Sequence, residues 1–215
     1  MRSVWVIVVA AGSGSRFGRP KQYEELGGRR VLDWSLAAAR ATAAGPHDGV
    51  VVVVRPDRAG EPVPDAHLVV AGGATRSSSV RAGLAAVPGH ADVIVVHDGA
   101  RPLAGAELFA RVVEAVRHGA DAAVPAVDVT DTLRHRSGGP VDRGDLVAVQ
   151  TPQAFRAAAL RAAHAAEPEA TDDASLVEAT GGKVVVVEGS PANLKITRTI
   201  DLAIAGALLR FGQAP

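Results

Sequence analysis

The chain has 215 residues, 47% hydrophobic but only 3% aromatic, which suits one α/β domain with a core filled mainly by Val, Ala and Leu. Its 23 basic and 23 acidic residues cancel, which argues against the excess positive charge that generic nucleic-acid or anionic-membrane binding needs. The absence of Cys excludes disulfides and thiolate chemistry; no signal-peptide pattern or bilayer-length apolar run is present, so the expected compartment is the cytoplasm.

In chain order, Val4–Ala10 is an apolar run ending in a Gly-rich turn, and it reads as a strand buried on both faces. Helical spacing follows over Val31–Ala43, then a buried strand at Val50–Val54 and a short one at His67–Val70. Gly72-Gly73 precede a predicted helix at Thr75–Ala86. Asp92–Val96 and Asp121–Pro125 read as strands on either side of a helix at Glu107–Arg117. A late strand at Val184–Val187 leads to a closing helix at Ile200–Leu209. This alternation predicts a doubly wound, mainly parallel α/β sheet with right-handed crossovers, a Rossmann-like domain over 1–215.

The alternation breaks over 127–149. Thr/Val alternation, a Ser137-Gly138-Gly139-Pro140 turn and a second apolar run predict a protruding β-hairpin arm. A lone hairpin needs a packing partner, so the arm either folds back or joins a second copy, and a homodimer with interlocked arms is the expectation. Thr171-Asp172-Asp173 reads as a helix N-cap with acidic residues favouring the helix dipole.

The first loop, Ala10-Ala11-Gly12-Ser13-Gly14-Ser15-Arg16-Phe17-Gly18-Arg19-Pro20-Lys21-Gln22, carries the strongest signal. Small residues let successive backbone N–H groups face a ligand, and Arg16 and Lys21 add positive charge, together a cradle for polyphosphate. The loop is neither G-x-x-x-x-G-K-[ST] nor G-x-G-x-x-G, since Lys21 is followed by Gln22 and Gly18 falls one position late. Lys21 and Lys195 are two of only three Lys in a chain that otherwise uses Arg, which raises the question of a compact ammonium there.

A-A-G-x-G-x-R…P-K-Q after the first strand resembles the signature of nucleotidyltransferases that make activated sugars and polyols. Ala71-Gly72-Gly73, His97-Asp98-Gly99-Ala100-Arg101-Pro102, Asp131-Thr132, Thr151-Pro152-Gln153 and Asn193-Leu194-Lys195-Ile196-Thr197 narrow the resemblance. Together they are similar to the 2-C-methyl-D-erythritol 4-phosphate cytidylyltransferase family of non-mevalonate isoprenoid biosynthesis. The resemblance implies transfer of CMP from CTP to that phosphorylated polyol, with Mg²⁺ (or another divalent cation) held by phosphates and water, near Asp98 if by protein.

It also implies roles for particular residues. Arg16, Lys21 and Lys195 would meet the charge developing on the triphosphate. Ala10, Ala11, Gly12, Ser13, Gly14, Gly72, Gly73 and Ser79 would hold the nucleotide, the base being read mostly by backbone. Asp98, Arg101 and Thr132 would hold the polyol, although Asp98 alone could equally cap the following helix. Thr151 and Arg143 would hold the substrate phosphate, Arg143 reaching in from a partner's arm; by itself, Arg143 in a polar turn reads as a solvated charge.

Two features depart from the family pattern: Ala74 stands where some relatives carry an acid, and the loop between Arg16 and Pro20 is short. The seven His show no metal-ligand spacing, and the Ser residues lack a base pattern for nucleophilic catalysis. A ribitol 5-phosphate cytidylyltransferase is the nearest alternative, and an NAD(P)-binding oxidoreductase a distant one, disfavoured by the failed glycine spacing.

Overall fold

The computed structural model describes residues 3–212. The elements run β1 Val4–Val9, β2 Glu25–Leu26, β3 Arg29–Arg30, α1 Val31–Thr42, β4 Gly49–Val54, β5 Leu68–Ala71, α2 Arg76–Ala86, β6 Val93–Asp98 and α3 Ala106–Arg117. They continue with β7 Ala122–Asp128, β8 Leu133–Arg134, β9 Pro140–Val141, β10 Val147–Val149, β11 Gln153–Arg156, α4 Ala157–His164, α5 Asp173–Ala179, β12 Val184–Glu188 and α6 Thr199–Arg210. Among the described residues no helix is long and apolar enough to cross a membrane.

An eight-stranded sheet has the order β10-β7-β11-β6-β1-β4-β5, with β12 also paired to β7. β1 pairs parallel with β4 and β6, β4 with β5, and β7 with β12. The apolar runs become central strands because both of their faces are covered. In β1, Val4, Val6 and Val8 pack with Leu32 and Leu36 of α1 and Phe109 and Val112 of α3. Trp5 and Ile7 face the other way, against Val80 and Leu84 of α2, Leu160 of α4 and Val177 of α5. Phe109 is 0% exposed, and its truncation to Ala would cost about 3–5 kcal/mol.

The sequence reading assigned no element between 150 and 183 beyond the cap at Thr171–Asp173, and three elements lie there. β11 runs antiparallel between β6 and β7, so the sheet is mixed on that side. It is four residues long, too short to show a countable periodicity. α4 is an Ala-rich segment whose buried side chains include Ala157 and Ala163, too small to mark a hydrophobic stripe. α5 begins at the expected cap, the Asp172 side chain accepting from Ser175 N–H at 2.8 Å.

The segment 127–149, expected to form the arm, begins and ends in a ladder of the main sheet. β7 runs on to Asp128, and β10 returns antiparallel with Ala148 opposite Val127 and Val149 opposite Ala126. Beyond that ladder, β8 and β9 form a two-residue pairing closed by the Gly138-Gly139 turn. Leu146, Val147 and Val149 are large apolar side chains left exposed on this segment.

Candidate active site

A cleft of roughly 460 Å³ opens at the carboxyl ends of β1 and β6, where ligands bind in open α/β sheets. Its floor is the first loop. Gln22, 3% exposed, donates through Nε2 to the carbonyls of Ala10 at 2.7 Å and Gly12 at 3.0 Å, pinning the loop from beneath. Gly14 has φ +72°, and a Cβ there would sit 1.9 Å from the Arg19 carbonyl oxygen, so the turn requires glycine. Its own carbonyl accepts from the N–H groups of Phe17 and Gly18, both at 2.8 Å.

Phe17 anchors the far end of the loop. It is buried in a small apolar cluster with Leu26, Val31, Leu103, Ile196 and Ala205. Phe17 adjoins Arg16, and Ile196 adjoins Lys195, so one apolar cluster brings two cations from distant segments to one cleft. Arg16, Lys21 and Lys195 all line it. Burial, with the charges of Lys195 and Arg16, holds the Lys21 ammonium below its usual pKa. Arg19 is set aside: it forms a two-pronged pair with Glu24, both contacts at 2.6 Å.

Asp98, at the end of β6, faces the cleft and caps no helix. Its Oδ2 receives Lys195 Nζ at 2.7 Å and lies 3.8 Å from Arg101 Nε, while its Oδ1 lies 3.7 Å from Arg76 Nε. Burial would push the Asp98 carboxyl up, but Lys195, Arg76 and Arg101 outweigh it and hold it well below the usual carboxylate range. Thr151 supports this residue from behind: its hydroxyl accepts the Asp98 N–H at 3.0 Å and sits 3.2 Å from His97 Nδ1. Arg101 donates to the Asn193 carbonyl at 2.7 Å, tying the segment before Lys195 to the strand that carries Asp98. Burial pushes the Arg101 guanidinium down, with Asp98 opposing.

The expected nucleotide positions all edge this cleft except Gly72, which abuts it: a Cβ there would come within 2.4 Å of the Ala11 Cβ. Several of their polar groups are engaged within the chain. The Ala10 and Gly72 N–H groups donate to Val53 and Val54 carbonyls, both at 2.7 Å. Ser79 accepts the Gly73 N–H at 3.1 Å and donates to the Thr75 carbonyl at 2.8 Å. Ser79 therefore shapes the Gly73–Thr75 turn, which a helix of serines could not reveal from spacing. Ala74 lines the cleft with a methyl group where an acid would have added charge.

The expected acceptor residues divide. Asp98 lies in the cleft, whereas Arg101 and Thr151 stand behind it and Thr132 and Arg143 lie on the exposed arm, none of these four lining the cleft. Arg143 Nη1 donates to the Thr130 carbonyl of its own arm. Arg76, which the sequence reading does not single out, lines the cleft, with His164, also not singled out, and Asp173, read only as part of a helix cap, behind it. Arg76 follows the N-cap of α2, a position that faces the strand ends, and this was its one legible signal.

The family described as IspD, 2-C-methyl-D-erythritol 4-phosphate cytidylyltransferase, matches residues 4–211. A 2-C-methyl-D-erythritol 4-phosphate cytidylyltransferase of Rhodococcus jostii is 44% identical over 221 residues, covering 97% of this chain and 96% of the relative. A bifunctional IspD/IspF enzyme of Clavibacter michiganensis is 46% identical, and there the chain spans 95% of itself but only 54% of the relative. The crystal structure of the Thermus thermophilus 2-C-methyl-D-erythritol 4-phosphate cytidylyltransferase superposes with a TM-score of 0.82 at 41% identity, covering 98% of this chain and 100% of that one. On the match across nearly its whole length, the chain belongs to the 2-C-methyl-D-erythritol 4-phosphate cytidylyltransferase family.

Proposed function

We propose that this chain transfers the cytidylyl group of CTP to 2-C-methyl-D-erythritol 4-phosphate. A phosphate oxygen of the acceptor attacks the α-phosphorus, the bond to the β-phosphate breaks, and pyrophosphate leaves. The observation that carries this reading is the convergence of Arg16, Lys21 and Lys195 on a glycine-rich loop at the strand ends. Phosphoryl-type transfer asks little covalent chemistry of a protein; it needs alignment and positive charge around the forming and breaking bonds. In this reading Arg16 and Lys21 neutralise the leaving pyrophosphate, and Lys195 moves from Asp98 to the α-phosphate. The Ala11 backbone reads the base edge, since neighbouring N–H groups are engaged within the chain.

A divalent cation, Mg²⁺ by its preference for oxygen ligands and retained water, fits this cleft only as a companion of the nucleotide. Asp98 is the one carboxylate lining it, and the described residues contain no cluster of three metal-ligating side chains. When bound, the cation would neutralise phosphate charge, with Asp98 as its protein contact.

The acceptor half of the site is proposed to be completed by a second copy of the chain. The exposed Leu146, Val147 and Val149 supply apolar surface for dimerisation, and Arg143 on the same arm would reach the acceptor phosphate in the partner's cleft. Thr132 would then approach the polyol. The test is pyrophosphate release across CTP, UTP, ATP and GTP, with methylerythritol phosphate and ribitol phosphate as acceptors. Turnover confined to CTP with methylerythritol phosphate is expected; preference for ribitol phosphate would overturn the acceptor assignment while leaving the nucleotide site intact.

A further inference from the structure

Arg76 lines the cleft but has no part in the triphosphate cradle described above. Its guanidinium spans two carboxylates from distant parts of the chain. Nη1 donates to Asp173 Oδ2 at 2.8 Å, and Nε lies 3.7 Å from Asp98 Oδ1. Asp173 is 0% exposed, and its other oxygen meets His164 Nε2 at 3.0 Å. Desolvation opposes the Arg76 charge, yet Asp173 and Asp98 outweigh it and hold its pKa above the ordinary value.

Helix α2 is also fastened by contacts to the segment before α5. The Ser77 hydroxyl accepts the Ala170 N–H at 3.1 Å and donates to the Ala170 carbonyl at 3.2 Å. Arg81 donates to the Pro168 carbonyl at 2.8 Å and pairs with Glu169 at 3.0 Å. Arg76 is thus held in place by the segment before α5 and presented to Asp98.

Lys195 begins bound to the Asp98 oxygen that Arg101 also approaches. Drawing a lysine away from a buried carboxylate is costly when that carboxylate is left unpaired. Arg76 sits against the opposite oxygen, so it stays beside Asp98 when Lys195 moves.

We propose that Arg76, anchored by Asp173 and His164, is a positioning residue for the transfer: it keeps Asp98 paired and in place while Lys195 exchanges to the nucleotide phosphate. This rests on the roles of Asp98 and Lys195 proposed above. A lysine could not replace it, because one ammonium cannot present the planar fork that reaches both carboxylates.

The test is steady-state pyrophosphate release from CTP and methylerythritol phosphate, with folding followed by circular dichroism and thermal melting. Arg76→Gln should lower kcat by about 10- to 100-fold, the effect typical of groups that orient a functional side chain. Arg76→Lys should recover only a minor part of that loss. Arg76→Gln combined with Asp173→Asn removes both charges of the pair; it should regain melting temperature but remain slow, and it carries the test if Arg76→Gln alone does not fold. Arg81→Gln, which cuts the neighbouring clamp without touching Asp98, should keep kcat within about twofold. In a Lys195→Ala background, Arg76→Gln should add little, because no lysine remains to be released.

Normal kcat in a folded Arg76→Gln, recovery of kcat together with melting temperature in the double variant, or independent multiplication with Lys195→Ala would each overturn the inference. Normal kcat in Lys195→Ala itself would instead overturn the underlying reading of the site.

Discussion

The first loop and the arm are both glycine-punctuated excursions from the sheet, yet they are built in opposite ways. The first loop is held from below by Gln22 and by the burial of Phe17, and the Lys195–Asp98 pair lies beside it in the same cleft, all within one chain. The arm beyond its short ladder to β7 is solvent-exposed, and its functional candidates Thr132 and Arg143 stand apart from the cleft. A triphosphate can meet a surface that packing has already shaped. A phosphorylated acceptor must be gripped by groups whose placement, in the reading above, depends on a neighbour. The difference teaches that nucleotide binding should survive perturbation of the arm, whereas acceptor binding should not.

The largest expected effect tests the packed half. Lys21→Ala and Lys195→Ala should each remove about 2–4 kcal/mol of transition-state stabilisation, read mainly as a fall in kcat. Near-normal kcat in both would dissolve the distinction, since the prebuilt cleft would then not be the site of transfer.

A second expectation concerns the support under the loop. Gln22→Leu leaves the Ala10 and Gly12 carbonyls without their donor and should destabilise the chain by about 1–3 kcal/mol. Urea unfolding gives this value, and KM for CTP should rise more than KM for the acceptor. Equal rises would mean that the loop serves both halves alike.

The packed half should also carry pH sensitivity. Burial pushes His97 from 6.5 down to about 4, its neighbour Asp98 opposing. An unfolded chain takes up that proton near pH 6.5 while the folded chain resists until about pH 4, so stability falls as pH drops through this window. The loss attributable to His97 between pH 7 and pH 5 should be about 2 kcal/mol, measured by urea midpoints. His97→Gln should flatten that slope; an unchanged slope would place the sensitivity elsewhere.

The smallest stability effect belongs to the arm. Arg143→Ala should change folding stability by no more than about 0.5 kcal/mol. It should nonetheless raise KM for methylerythritol phosphate by roughly tenfold, the loss of one charged hydrogen bond, with KM for CTP nearly unchanged. Equal effects on the two substrates would remove the division between the regions.

Much of this was legible in the sequence for definable reasons. Val-rich runs buried on both faces mark β1, β4 and β6 because parallel strands covered by helices need no polar alternation. The Thr171–Asp173 cap marked the start of α5 because an N-cap is a local hydrogen bond. The expectation of an arm rested on the break in alternation between 127 and 149. By contrast, β11 and α4 escaped notice: one is short and the other has a core face made largely of Ala, so neither offered a period to count. Ser79 lines the cleft, but its hydroxyl bonds depend on the fold of the Gly73–Thr75 turn.

The sequence by itself determined a doubly wound sheet, a glycine-rich first loop at the end of β1 and, through motifs in family order, the family the chain belongs to. These follow from local periodicity, backbone freedom and residue type, which require no knowledge of distant contacts. Only the tertiary structure decided which charges meet. Arg76 finds Asp173, and Asp98 finds Lys195, each across 97 residues, because the sheet order brings the ends of β1 and β6, the start of α2 and the Lys195 segment to one edge. Pairings of that kind are set by which strand lies beside which, and no spacing along the chain encodes them.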